Sequence, residues 1–146
     1  MTKILTMLAG PLCAGLLTLH AADKAHLEGP KGGRFLEKTE PRAEFLVEKD
    51  RGISIHFYDA ASKILPATDQ IVTVVAEAKS GKEKIDFEKK NGSLVGKTKL
   101  PAGDDYNVVV QFKQTPTAKP LNFRFKLDLH ICESCKRAEY SCTCHE

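Results

Sequence analysis

The chain has 146 residues, with 22 Lys plus Arg against 19 Asp plus Glu and a formal net charge of +3. That length suits a single domain with one core. The charges of both signs are interspersed along the chain, which leaves no electrostatic footprint for nucleic acid or for an anionic membrane.

At the N-terminus, Lys3 is followed by an uncharged apolar stretch, Ile4 to Leu19, interrupted by Gly10, Pro11 and Gly15. It is too short for the roughly 20 residues that span a bilayer, and it reads as the apolar core of a signal peptide covering residues 1–22, with cleavage near Ala21 or Ala22. The protein is therefore expected to be exported, to the periplasm or the extracellular space, and to have no membrane attachment after cleavage. Cys13 does not fit a lipid attachment site, because Leu12 and Pro11 precede it and the apolar run continues past it. Loss of residues 1–22 removes the charge of Lys3 alone and leaves a nearly neutral mature chain.

Residues 23–33, DKAHLEGPKGG, are polar and rich in glycine, and are expected to form a flexible leader. From Arg34 the pattern has period two. In RAEFLVEKD, Ala43, Phe45 and Val47 share one face and Glu44 and Glu48 the other, before a turn at Asp50-Arg51-Gly52. In ISIHFYDA, Ile53, Ile55 and Phe57 face one way while Ser54, His56 and Tyr58 face the other. IVTVVAEA, Ile71 to Ala78, is β-branched and nearly continuously apolar, as a more central strand would be. KEKIDFEKK alternates around Ile85 and Phe87, and Asn91-Gly92 is a strong hairpin signal before SLVGKTKL. YNVVVQFK, Tyr106 to Lys113, and LNFRFKLDLH, Leu121 to His130, complete the set. In the last of these Leu121, Phe123, Phe125, Leu127 and Leu129 share a face, and His130 falls on the opposite, outward one.

Seven or eight short strands with turn chemistry between them predict an all-β domain over residues 34–131. The expected form is an antiparallel β-sandwich of immunoglobulin-like or cupredoxin-like kind, with a barrel as the alternative. No nucleophile elbow, phosphate-binding glycine loop or zinc-protease helix motif is present, so the chain is not expected to be an enzyme. Both methionines, Met1 and Met7, lie in the signal segment, and no cysteine lies between Cys13 and Cys132. A blue-copper centre, with its Cys and weak axial Met inside the sandwich, is therefore not expected.

The chemistry concentrates in residues 132–146, CESCKRAEYSCTCHE. Cys132-x-x-Cys135 and Cys142-x-Cys144-His145 are two close pairs joined by six residues, a spacing that can present four sulfurs to one tetrahedral ion. Thiolate softness favours Zn²⁺ or Cu(I), and His145 and His130 flank the set as alternative nitrogen ligands. In an oxidising compartment the same four cysteines could pair as disulfides, most easily between the two pairs, because bridges within a pair close small rings. Thiol redox exchange is a third possibility. Such disulfides would stiffen the tail but could not staple one sheet to another, which argues for the metal. Of the other histidines, His26 in the leader could assist a metal site built with the terminal amine, and His56 is expected at the surface.

A resemblance adds to this reading. Gly29-Pro30-Lys31-Gly32-Gly33-Arg34, Leu36-Glu37, Ala43-Glu44-Phe45 and Tyr58-Asp59-Ala60 resemble a group of small exported bacterial β-sandwich proteins associated with heavy-metal efflux systems. The likeness covers most of residues 26–127. Members of that group place a histidine directly before the Gly-Pro, where this chain has Glu28. The resemblance implies metal handling and a periplasmic efflux adaptor as partner, but it does not extend to the cysteine tail. The function expected is that of a non-enzymatic metal-binding protein, and the competing expectation is a structural or adhesion-type module with a disulfide-bonded tail.

Overall fold

Alternation of buried and exposed side chains is clearest in the strand Asp105–Lys113, where Tyr106, Val108, Val110 and Phe112 point inward while Asp105, Asn107 and Gln111 stay in solvent. The computed structural model describes residues 28–144. The signal-like segment 1–22, with Cys13, lies outside them, as do His26 and His145. Nine strands occur among the described residues: β1 (Arg34–Leu36), β2 (Arg42–Val47), β3 (Ile53–Tyr58), β4 (Ile64–Leu65), β5 (Ile71–Ala78), β6 (Gly81–Lys90), β7 (Ser93–Gly96), β8 (Asp105–Lys113) and β9 (Leu121–Asp128). A single 3₁₀ turn, Glu139–Ser141, follows within the cysteine tail.

All pairings are antiparallel, and the strands form one continuous path, β1-β2-β3-β7-β6-β5-β8-β9, with β4 attached to β3. The all-β antiparallel expectation therefore holds, but the strands make a single, nearly closed, barrel-like sheet instead of two separate ones. The length of β6 is the cause. Its first part, Gly81 to Asp86, pairs with β5, and its second part, Phe87 to Lys90, pairs with β7, so one strand turns the corner between the two halves. Gly96 sits at that corner, where an added Cβ would come within 3.1 Å of both Ile85 Cγ2 and the Thr98 carbonyl oxygen. The Asn91-Gly92 turn joining β6 to β7 has both residues at positive φ, 51° and 78°, as the tight hairpin expected there requires.

β1 and β9 end the path and do not pair with each other. A cavity of about 410 Å³ lies between them, partly bridged by Arg34, whose guanidinium stands over the Phe125 ring at 4.9 Å. The interior is filled from every strand, β4 adding only the partly buried Leu65, with Phe45, Ile53, Ile55, Phe57, Val74, Ile85, Val108, Val110 and Leu127 wholly buried. Phe45 meets Phe125 edge to face at 5.4 Å, which couples β2 to β9 across the open seam.

Four outward-facing positions of β2 and β3 depart from the simple pattern, with Ser54 and Tyr58 buried as well as the pair that follows. Glu44, expected on the solvent side of β2, is wholly buried, and its cross-strand neighbour His56 is half-buried. The reason is the turn just before β1. Residues Glu28 to Gly33, the latter part of the expected leader, are fastened by a Glu28–Arg34 bridge and by Gly29 N–H to Gly33 C=O at 2.9 Å. This turn lies over the outer face of β2, and its Lys31 and Gly33 amides donate to Glu44 Oε1 at 3.0 and 2.8 Å. Tyr58 Oη donates to Glu44 Oε2 at 2.7 Å. A Cβ on Gly29 would fall 2.2 Å from Glu44 Cδ, and one on Gly33 would fall 2.4 Å from the Phe45 carbonyl oxygen. The glycines of GPKGG thus serve to bring backbone donors onto a buried carboxyl group.

Candidate metal centre

One end of the barrel carries the cysteine cluster. There the β2–β3 turn is stitched to the loop before β8 by Arg51, which donates to the Gly103 carbonyl at 2.6 Å, and by Leu100 N–H to Arg51 C=O at 2.9 Å. The same loop receives the chain leaving β9 through Leu129 N–H to Asp104 C=O at 2.8 Å. β9 ends at Asp128, two residues before the expected limit at His130, and the chain then turns into the tail.

The tail folds back on itself. Ile131 bridges to Ala138, Cys132 N–H donates to Arg137 C=O at 2.7 Å, and Glu139 N–H donates to His130 C=O at 2.9 Å. At the tip, Lys136 N–H returns to Cys132 C=O at 2.9 Å, and Lys136 itself adopts a left-handed φ of 60°. A short ribbon closed by Cys-x-x-Cys and a left-handed residue is a knuckle, and it puts Cys132 and Cys135 side by side. The 3₁₀ turn then brings Cys142 and Cys144 back to face them.

The four sulfurs lie within 4.8 Å of one another, and those of Cys135 and Cys142 are 3.6 Å apart. A disulfide would need about 2.05 Å, and none of the four is in one. Four sulfurs at Zn–S distances of about 2.3 Å stand about 3.8 Å apart along the edges of a tetrahedron. The spacing therefore suits a shared ion. Four clustered cysteines in this arrangement could hold a metal such as zinc.

Backbone donors also converge on the sulfur atoms. The amides of Cys135 and Ser134, with the Cys142 thiol, pull the Cys132 thiol down to about 6. The Cys144 amide donates to Cys142 Sγ at 3.4 Å and acts to lower that thiol, yet burial and the neighbouring thiols outweigh it and push Cys142 up to about 12. Cys144 is also raised, chiefly by its hydrogen bond with Cys135. One proton leaves such a set readily, and the next ones resist until a cation compensates the accumulating charge. Lys136 lies within the knuckle beside the two cysteines of the first pair, and Arg137 follows it. Arg137 also forms an ion pair with Glu28, which ties the N-terminal turn to the tail.

Not every candidate ligand joins the cluster. His130 is exposed, with Nδ1 2.7 Å from Asp128 Oδ1, and that carboxylate raises its pKa. It stands outside the four-sulfur group. His145 falls outside the described residues. His56 is not a free surface residue: Nε2 lies 3.0 Å from Ser54 Oγ, which donates to Glu48 Oε1 at 2.7 Å.

Sequence reasoning missed Tyr140. It is buried in the core, packs edge to face on Phe45 at 6.0 Å and accepts the Val47 amide hydrogen. A large aromatic inside an otherwise polar, cysteine-rich segment was the available signal.

No protein-family model, no curated protein and no solved structure matches this chain. Among the described residues, no helix is long and apolar enough to cross a membrane.

Proposed function

We propose that this is an exported, non-enzymatic metal-binding protein that holds one Zn²⁺ through Cys132, Cys135, Cys142 and Cys144, and that it serves as an accessory to metal efflux beside a periplasmic adaptor. Its scaffold is the nearly closed antiparallel sheet, bent at β6. The observation that carries the reading is the convergence of four unbridged sulfurs within 4.8 Å. Zn²⁺ is preferred to Cu(I) because four thiolates around one point suit a tetrahedral ion. Support for export comes from the apolar segment after Lys3, and support for efflux from the resemblance of GPKGGR and its companion motifs.

Zinc titration of the reduced mature chain, followed by native mass spectrometry, tests this directly. One equivalent should bind, with release of protons, and uptake should fall sharply in Cys132→Ser and in Cys142→Ser. A chain that takes up no zinc, and whose cysteines are recovered from the periplasm as disulfides, would leave the β-domain as a structural module with a crosslinked tail.

A further inference from the structure

The four sulfurs are not equivalent. Cys132 is 2% exposed and Cys142 8%, Cys135 is half-buried, and Cys144 is open to solvent. The difference in anchoring runs the same way. Cys132 lies inside the ribbon, between the Ile131–Ala138 bridge and the Arg137 carbonyl, while Cys135 occupies the tip that Lys136 closes. Cys142 directly follows the turn whose Tyr140 is sunk in the core, and its own amide is held by the Glu139 carbonyl at 3.1 Å. Moving any of these three sulfurs away from the ion disturbs a hydrogen-bonded ribbon or the packing of Tyr140 on Phe45. Cys144 lies beyond those supports, and its amide donates to a sulfur of the cluster itself, Cys142 Sγ.

From this asymmetry we infer that Cys144 is the exchangeable ligand: the metal is held by Cys132, Cys135 and Cys142 and passes to a thiol-bearing acceptor by displacement of Cys144. The inference rests on the zinc reading above and extends it from storage to transfer. Cys132 and Cys142 are buried and Cys144 is the most exposed of the four, so an incoming sulfur would approach an ion held there from the Cys144 side. In the step, the acceptor thiol loses its proton to solvent and its sulfur bonds to the metal. The metal–Cys144 bond breaks with the electron pair remaining on Cys144 Sγ, which then takes a proton from solvent, and the bonds to Cys135, Cys142 and Cys132 are then exchanged in turn by the same thiolate-for-thiolate step as further acceptor sulfurs bind. No atom changes oxidation state. The barrel and Tyr140 stay in place throughout, so transfer does not require the tail to undock.

The test uses the zinc-loaded full mature chain, with 2,3-dimercaptosuccinate as acceptor and zinc transfer followed over time. The transfer rate should rise in proportion to acceptor concentration. Cys144→Ser should still load one zinc on three sulfurs and should transfer it at least about tenfold faster, since ligand losses of this kind appear mainly in dissociation. Hydrogen exchange at the Val47 amide, which reports Tyr140 docking, should stay slower than transfer. An acceptor-independent rate equal to Val47 amide exchange would overturn the inference, because the metal would then leave only on undocking. So would a Cys144→Ser chain that loses zinc as completely as Cys142→Ser. These wild-type rates decide the matter even if a serine variant fails to fold. Absence of zinc uptake by the wild-type chain would overturn the zinc reading itself and the inference with it.

Discussion

Tyr140 Oη accepts the Val47 amide hydrogen at 3.0 Å, joining the cysteine tail to the end of β2 across 93 residues of sequence. The ring is buried among core residues, and burial, the leading cause, pushes its hydroxyl pKa up to about 12. The tail is therefore part of the folded unit, although its cysteine pattern alone suggests a segment that could stiffen itself without affecting the strands. Tyr140 thus anchors to the barrel the segment that presents the four sulfurs.

Removal of the Tyr140 contacts should accordingly be felt by the whole domain. Tyr140→Phe loses one hydrogen bond and should cost about 1 kcal/mol. Tyr140→Ala also empties core volume and should cost about 3–5 kcal/mol. Chemical denaturation of the zinc-loaded protein measures both, and the alanine variant should also bind zinc more weakly.

Much of the strand pattern was legible because alternation is a local property. β8, the Asn91-Gly92 hairpin and the turn at Asp50-Arg51-Gly52 stand where period and turn chemistry put them, as does β9 apart from its end at Asp128 and the exposure of Leu121. Alternation does not say which strands pair, so it could not show that the ten residues of β6 serve two neighbours and join the halves into one sheet. Nor could it show what covers an outward face. Glu44 obeys the period of β2 and is buried all the same, because its cover is the turn Glu28 to Gly33, earlier in the chain. The four cysteines were legible from spacing, whereas the exclusion of His130 was not: its Asp128 partner lies two residues away and holds it outside the cluster.

The buried carboxyl group offers a second test. Glu44→Ala leaves the Lys31 and Gly33 amides and the Tyr58 hydroxyl without their acceptor, and should cost about 2–4 kcal/mol. Gly33→Ala should be comparably damaging, since its Cβ would meet backbone, whereas an added Cβ at Gly32 meets nothing within 4 Å and is opposed only by a φ of 88°. Thermal unfolding of the three variants should rank Gly32→Ala as the mildest.

Lys136 holds a left-handed conformation that strains a residue with a Cβ. Lys136→Gly should relieve that strain and stabilise the zinc-loaded protein by about 1 kcal/mol, with the metal stoichiometry unchanged, as urea denaturation can measure.

His56 gives a pH dependence. Burial, then Lys31, lowers its pKa below 6.5, against the opposing pull of Glu44 and Glu48; Ser54 and Tyr58 share its face. The folded state therefore binds this proton less readily than the unfolded chain. Its neutral form contributes stability that is fully present above about 6.5 and is lost as pH falls through 6.5 toward the lower folded pKa. NMR titration should place the His56 midpoint below 6.5, and His56→Gln should flatten the fall in stability over that range.

X-ray absorption at the zinc edge of the metal-loaded protein addresses the central proposition most directly. Four sulfur neighbours at about 2.3 Å are expected. A first shell dominated by nitrogen or oxygen, or a protein whose four sulfurs are already joined at about 2.05 Å and bind no zinc, would contradict it.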